Sequence, residues 1–471
     1  MLPTPENYSV WPSVIPANKK VKMTITGNEK AFLFAEGVAY QLKIIHVSSD
    51  EDSYYTPTKY DLLTVKAHDG ILRFEHVFPG EMEHMIILSR DGKEIQKMIV
   101  YSLYEDWYAL TPYKGDFHAH SFRSDGKRDP AALAGHFREQ GYDFFALTDH
   151  NRFYPGEEID ETFAGVRMGL TRVLGEEVHA PSISVHVVHV GGKKSVTEFY
   201  TNNREAYERE AEAYIAALPE CIPYDYRERY GKTMWAVDKI HEAGGLAIFP
   251  HPYWRPEPTH MDNVDITLTH LLLKSDKFDA YELLGCTGQA GGNLSLAMWN
   301  DLRAEGINIP VVGSSDVHGI RGSDSFPHLF TICLATANEN DAIIEAVKNG
   351  RTIPVEATGD EYNRHYRCYG TLRQTAYGQF LMKHYFPKLQ RLAQGEGVAM
   401  RAYAMEEAPA VLVEANAAMV EDFRLRFFGR QEAKLPSTAM LAWEEKWREV
   451  QRNGPRTKGS DAYSSEIRYQ I

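Results

Sequence analysis

His118 and His120 lie two apart in the run GDFHAHS. On an extended strand residues i and i+2 share a face, so both imidazoles can aim at one ion, and imidazole suits divalent ions such as zinc and iron. Asp125 follows in SDG, and FFALTDHN delivers Asp149 and His150. Adjacent residues point opposite ways, so His150 is the candidate ligand and Asp149 a cap or an orienting group. GEEVH holds Glu176, Glu177 and His179. Glu177 is the candidate bridge between two ions, with Glu176 facing away. VHVVHVGG offers His186 and His189, on opposite faces if extended; FPHP offers His251; SSDVH offers Asp316 and His318. Taken singly these pieces have ordinary structural uses: a hydrogen-bonded core histidine, or a turn-forming Asp beside Gly126. Taken together, strand end after strand end presents a ligand-type residue in a chain with 19 histidines. That points to a multinuclear metal site.

The elements needed to gather these residues are legible in the patterning. Residues 1–110 read as short apolar or alternating strands (VKMTITG, FLFA, YQLKIIHV, LLTVKA, ILRFEHVF, HMIILSR, QKMIVYSL) separated by turn signals, the pattern of a small β-sandwich. They show packing periodicity and no chemistry. Residues 111–356 alternate apolar runs with helical stretches, an α/β pattern. The runs are GDFHAH, FFALTDH, RVLGEEVH, VHVVHVGG, GLAIFPHP, DAYELLG and IPVVGSSDVH. If these strands are parallel in a barrel, their C-terminal ends converge on one face. Asp129-Pro130 should start one helix and Gly141 end it, and Gly244-Gly245 should end another. Residues 193–231 form a helical insertion, either packing or acting as a lid. Residues 357–471 read as a mainly helical extension; from Tyr362 to Leu392 it holds Lys and Arg but no Asp or Glu.

Composition narrows the classes. The 471 residues are 43% hydrophobic and 12% aromatic, which disfavours disorder. No apolar run is long enough to span a bilayer. Four cysteines without a CxxC do not make a disulfide framework. A net charge of −14 argues against a stable nucleic-acid complex. The N-terminal run MLPTPENYSVWPSV lacks the basic and apolar regions of a secretory signal, so a cytoplasmic location is expected.

The string HAHSFRSDGKRDPAALAGHFREQGYDFFALTDHN, continued by GEEV, HVVHVGG, AGGLAIFPHP, YELLG, GSSDVHG and AIIEAVKNGRTIPVEA, resembles the PHP (polymerase and histidinol phosphatase) family of metal-dependent phosphoesterases over about residues 113–356. The resemblance implies a distorted (β/α)7 TIM-like barrel holding two or three divalent ions (Mn, Fe or Zn) at the strand C-termini. It also implies the ligand set His118, His120, Asp125, His150, Glu177, His186, His251, Asp316 and His318. Two departures leave alternatives. The family's GxE stands here as GEE, which admits Glu176. The histidine spacing before Gly191 matches the carbamate- and ester-hydrolysing branch and favours His186 over His189.

The function this implies is hydrolysis of a small organophosphate, such as a nucleotide, by a hydroxide bridging two ions. Arg123, Arg152, Arg255 and Arg321 follow ligand motifs closely and are candidates to grip a phosphate, Arg152 and Arg321 foremost; otherwise they are ordinary surface arginines. His318 or His179 would protonate the leaving group. Tyr253 and Trp254 would stack on an aromatic leaving group or simply pack. A carboxylic ester, carbamate or amide hydrolase is the alternative, and a non-catalytic metal-dependent binding module the second. A small anionic substrate is the expected partner, with no membrane, and homo-oligomerisation is compatible with the sequence.

Overall fold

The computed structural model describes residues 6–47, 59–255, 261–285, 288–320, 325–358 and 365–453. They divide into two compact units: residues 105–425, and residues 6–104 together with 426–453.

The second unit is built on two facing antiparallel sheets. One contains β1 (Tyr8–Trp11), β3 (Lys20–Gly27) and β6 (Ile71–Val77), in the order β1-β3-β6. The other contains β2 (Val14–Pro16), β4 (Ala39–His46), β5 (Asp61–Lys66), β7 (Met82–Arg90) and β8 (Lys93–Leu103), in the order β2-β8-β7-β4-β5, with only β2–β8 parallel. Alternation drives this arrangement: Tyr40, Leu42 and Ile44 on β4, and Leu72 and Phe74 on β6, are buried in one core with Met23, Ile25, Ile86 and Leu88. The FLFA run expected as a strand is instead a short 3-10 turn, Lys30–Phe32, and irregular chain.

In the larger unit each of the seven apolar runs contains a strand: β9 (Thr111–Asp116), β10 (Phe144–Leu147), β11 (Thr171–His179), β12 (His186–Val190), β13 (Leu246–Phe249), β14 (Ala280–Leu284) and β15 (Val311–Gly313). With β16 (Leu329–Ala335), β17 (Thr352–Thr358) and β18 (His365–Cys368) they form one ten-stranded sheet, ordered β15-β14-β13-β12-β11-β10-β9-β16-β17-β18. Strands β10, β13 and β14 are buried along their whole length, as expected for strands covered on both faces. The sheet curls until β15 meets β16 and β17 through side chains: the Thr331 hydroxyl donates to the Gly313 carbonyl at 2.7 Å, and Thr352 donates to the Val311 carbonyl at 2.8 Å. The fold is therefore mixed α/β.

One strand departs from the parallel expectation. β12 runs antiparallel to both β11 and β13, because residues 180–185 are too short for a crossover helix and can only close a reversal. An antiparallel strand brings its start, not its end, to the shared face, so His186 rather than Val190 stands beside the end of β11.

The helices form where the punctuation places them. Asp129 caps Pro130–Glu139 by accepting from the Ala132 N–H at 2.8 Å, and Gly141 follows at a φ of 76°. The insertion packs: Val196, Tyr200, Tyr207 and Ala211 share a core with Met234 and Trp235. Residues 357–425 also belong to this unit. Their helix Phe386–Ala404 crosses Pro130–Glu139 where Gly135 faces Gly397, and is anchored by the fully buried pair Arg138 Nε–Glu396 Oε2 at 2.7 Å.

A Cβ at Gly397 would collide with the Glu139 backbone nitrogen and the Gly135 carbonyl oxygen, whereas one at Gly292, in the helix Gly288–Ala304, meets nothing. Gly397→Ala should lower stability by about 1–3 kcal/mol, since overpacking outweighs the gain in helix propensity. Gly292→Ala should raise it by about 0.4–1 kcal/mol. Opposite shifts of the urea midpoint check the pair.

Candidate metal centre

Backbone pairing brings the two outer motifs together. The His120 N–H donates to the Val317 carbonyl and the Asp316 N–H to the His118 carbonyl, both at 2.9 Å. The HxH and DxH segments thus lie side by side. A bridge between His150 and Glu177 joins the next pair, and cross-strand register sets His186 opposite His179.

The convergence point is Glu177, which has no solvent exposure. Its Oε1 faces His186 Nδ1 at 2.7 Å and His251 Nε2 at 3.1 Å. Its Oε2 faces His150 Nδ1 at 2.6 Å, His118 Nε2 and His179 Nε2 at 3.5 Å, and His120 Nε2 at 3.6 Å. Asp316 Oδ1 lies 3.0 Å from His120 Nε2 and 3.4 Å from His118 Nε2. Asp125, half-exposed, spans His150 Nε2 and His318 Nε2 at 3.4 and 3.3 Å. All nine residues carried over by motif are therefore brought into one cluster, joined by His179.

The register also separates the alternatives. Glu176 pairs with His189 on the opposite face of β11 and β12. Its carboxylate accepts from His189 Nδ1 at 3.1 Å, the Val196 N–H at 2.7 Å and Ser195 Oγ at 2.8 Å. This pair is directed away from Glu177.

Burial alone would raise the Glu177 carboxyl, but the facing His186 and His118 rings carry it well below the carboxylate range. Asp316 is likewise lowered despite burial, by His118 and His120. Desolvation holds His186 down at about 4. Two donor residues, His251 and Asp316, themselves sit at positive φ, 22° and 48°. Such conformations cost on the order of 1–3 kcal/mol and gather at functional sites.

The donor set fits divalent cations on a local test. His118 Nδ1 donates to Glu282 Oε2 at 3.1 Å, which turns Nε2 toward the oxygens of Glu177 and Asp316. Burial opposes a charge on His118, yet Asp316, Glu177 and Glu282 raise it well above the ordinary imidazole range. A divalent cation would supply the positive charge these carboxylates draw in, and the buried atoms His118 Nε2, His120 Nε2, Glu177 Oε2 and Asp316 Oδ1 are otherwise without hydrogen-bond partners. Carboxylates and imidazoles so arranged are the ligand chemistry of zinc, iron and manganese.

Several positioning residues carry no recognisable signal in sequence. Glu282, in DAYELLG, fixes the His118 tautomer and also accepts from the His251 N–H at 3.3 Å. Asp116, pushed up to about 7 by burial, accepts from the His118 and Ser315 N–H groups. Tyr200 of the insertion donates to Asn151 Oδ1 at 2.7 Å, and that oxygen also accepts from the His179 N–H. Asp149 was open to two roles and takes the orienting one: it accepts from Ser121 and Ser124, through both backbone and hydroxyl, and so shapes the loop before Asp125. Gly126 closes that loop because its Cα lies against the His120 carbonyl, where a Cβ would collide.

The rim candidates divide. Arg123 is held by Glu158 at 2.7 Å and Arg255 by Asp262 at 2.6 Å. Arg152 is exposed and makes no ion pair among the described residues. Arg321 lies outside the described residues. Tyr253 cannot stack on a ligand: it is 1% exposed within the core. Trp254 is partly exposed, 6.1 Å from the His251 ring.

No family model matches the chain, and no curated protein matches it. Among solved structures it is similar to a two-domain protein from Bacteroides vulgatus containing a predicted PHP-like metal-dependent phosphoesterase. The identity is 20% and the TM-score 0.37, over 52% of this chain and 65% of that one. It is also similar to an amidohydrolase from Chromobacterium violaceum, at 16% identity and a TM-score of 0.29, over 45% of this chain and 89% of that one. At these scores the overlap carries no functional argument, which rests on the side chains. Among the described residues no helix is long and apolar enough to cross a membrane.

Glu282→Ala should release His118 Nδ1 and lower manganese affinity by about 10–100-fold, the usual cost of losing an orienting carboxylate. A metal titration of the full chain reads this directly.

Proposed function

We propose that the chain is a metal-dependent hydrolase of a small phosphoester, working at the strand ends of a distorted (β/α)7 barrel. The observation that carries this reading is the buried Glu177 carboxylate, each oxygen facing a different set of imidazoles. Two or three divalent ions would be held by Glu177 with His118, His251 and Asp316, and with His120, Asp125, His150, His186 and His318. Bound there, such ions supply Lewis-acid polarisation of the ester and lower the pKa of an attacking water.

The chain's own residues do the rest. Arg152 offers a bidentate grip on an anionic phosphate, a role shared with Arg321. Glu282 and Asp116 keep the HxH segment in place, so that little reorganisation accompanies the reaction. His318 is the most exposed of the clustered rings, at 36%. Its Nδ1–H is donated to the Asp316 carbonyl at 2.9 Å, so Nε2, 3.3 Å from Asp125, is the nitrogen left to hold an ion. That leaves the His179 ring, outside this ligand set, to pass a proton to the leaving oxygen.

A second reading, hydrolysis of a carboxylic ester, carbamate or amide, is favoured by one observation. Two of the four rim arginines are already bound to carboxylates, while Trp254 stands beside His251.

The test is the chelator-stripped chain reloaded with manganese, zinc or iron and assayed on phosphoesters beside neutral aryl esters. Metal-dependent phosphate release is expected. Glu177→Ala should lose more than the roughly 100-fold typical of outer positions. Arg152→Ala should raise KM for phosphoesters and leave KM for neutral esters unchanged. A fully loaded chain inactive on phosphoesters but active on aryl esters would establish the second reading instead.

A further inference from the structure

The β unit gathers a second set of donor atoms. Along β4, Tyr40, Leu42 and Ile44 point into the sandwich core, and the same alternation carries His46 inward at the strand's end. Along β6, Leu72 and Phe74 point inward and His76 continues the series. On β5, Val65 and Leu63 lead back to Asp61. On β7, Ile86 and Leu88 follow His84, which pairs directly with His46. Four ionisable residues thus occupy inward register positions at one end of the sandwich, where apolar side chains would ordinarily close it. His46, Asp61 and His84 come from the five-stranded sheet; His76 comes from the other sheet.

The hydrogen bonds run in one direction. The Ser102 hydroxyl donates to the Gly80 carbonyl at 2.6 Å, so its oxygen accepts from His84 Nε2–H at 2.7 Å. His84 is fully buried, packed edge-on against the Phe78 ring, with no carboxylate paired to it among the described residues, so it holds its one proton on Nε2. Its Nδ1 therefore accepts, and His46 Nδ1, 2.8 Å away, must donate. That leaves the His46 Nε2 lone pair facing Asp61 Oδ2 at 3.3 Å. His76 Nε2 lies 3.2 Å from the same oxygen, buried and without a hydrogen bond. Separate protons on the two rings would satisfy these contacts one by one; a single cation satisfies both at once, and the three donor atoms lie close enough together to share it.

We propose that His46, Asp61 and His76 bind a single divalent ion of the zinc–copper class, with His84 and Ser102 orienting His46. Two imidazoles and a carboxylate make a three-ligand site of a kind zinc accepts, with a further position open. The His46–His84–Ser102 chain supplies the outer hydrogen bonds that such ligands need. Asp61, half-exposed, leaves the ion a way in from solvent. The bound ion ties β6 of one sheet to β4 and β5 of the other, so its presence stabilises the sandwich by linkage. This site lies in a different unit from the Glu177 cluster and stands whether or not the hydrolase reading does.

The test uses the full chain, stripped with chelator, given zinc alone, desalted and counted by elemental analysis. Asp61→Asn and His76→Ala should each retain one equivalent fewer than the parent, and added zinc should raise the melting temperature of the parent more than that of either variant. In a Glu177→Ala background, where the barrel cluster lacks its bridge, adding Asp61→Asn should again remove one equivalent. Equal zinc content in the parent and the variants would overturn the proposal. If Asp61→Asn fails to fold, His76→Ala, on the edge strand β6, makes the same comparison.

Discussion

An ionised carboxylate with no exposure is among the most costly groups a protein can bury unless it is paired. Glu177 is such a group, and much of the larger unit is arranged around it. Its two oxygens are met by rings from β11, β12 and the segments after β9, β10 and β13. Each ring must present the correct nitrogen. That requirement passes the constraint outward: His118 needs Glu282, His318 needs the Asp316 carbonyl, and the loop carrying Asp125 needs Asp149. Left without cations, the cluster would hold buried carboxylates whose charge only protons drawn onto the rings could balance, in surroundings where electrostatic penalties are largest.

The same constraint accounts for local departures from ordinary backbone geometry. His251 and Asp316 take up positive φ, which reorients the chain just after β13 and β15. Their strain persists because surrounding hydrogen bonds determine both positions: the Glu282 carboxylate holds the His251 N–H, and the His118 carbonyl holds the Asp316 N–H. A barrel made only of regular parallel strands would send β12 the other way and lose His186 from the cluster. The antiparallel β12 is therefore a requirement of the site as well as a consequence of a short connection.

Residues whose type alone bears chemistry were legible in sequence: the HxH pair, His150, Glu177, His251 and the DxH pair stand at the ends of apolar runs, and period-2 spacing shows which can share a face. Helix boundaries at Asp129-Pro130 and Gly141 were legible for the same local reason, capping and positive φ. The rest depends on pairing between distant segments. Nothing in DAYELLG marks Glu282 as the partner of His118, more than a hundred residues away, because a glutamate inside an apolar run has no local signature of its target. The direction of β12 needed the sheet order. The histidines of β4, β6 and β7 were read as packing because alternation does not reveal that the inward positions of two sheets meet.

Three histidine–carboxylate gatherings in the described residues show what separates a ligand site from a buried structural pair. Glu176 and His189 are as buried as Glu177 and His118. Yet Glu176 receives hydrogen bonds from His189, Ser195 and the Val196 N–H, and the far side of the His189 ring is packed against Gly192 and Gly245. Donors meet acceptors throughout that carboxylate's surroundings, and a cation would only displace them. Around Glu177, and again around Asp61, a hydrogen bond on the outer nitrogen of one ring, His118 or His46, turns its inner nitrogen toward a carboxylate oxygen. Residue type is common to all three, and burial, complete at Glu176 and Glu177 but only partial at Asp61, does not track the difference, so neither discriminates. The direction of the hydrogen bonds does, because it decides whether the space between the groups already holds its protons or requires a positive charge.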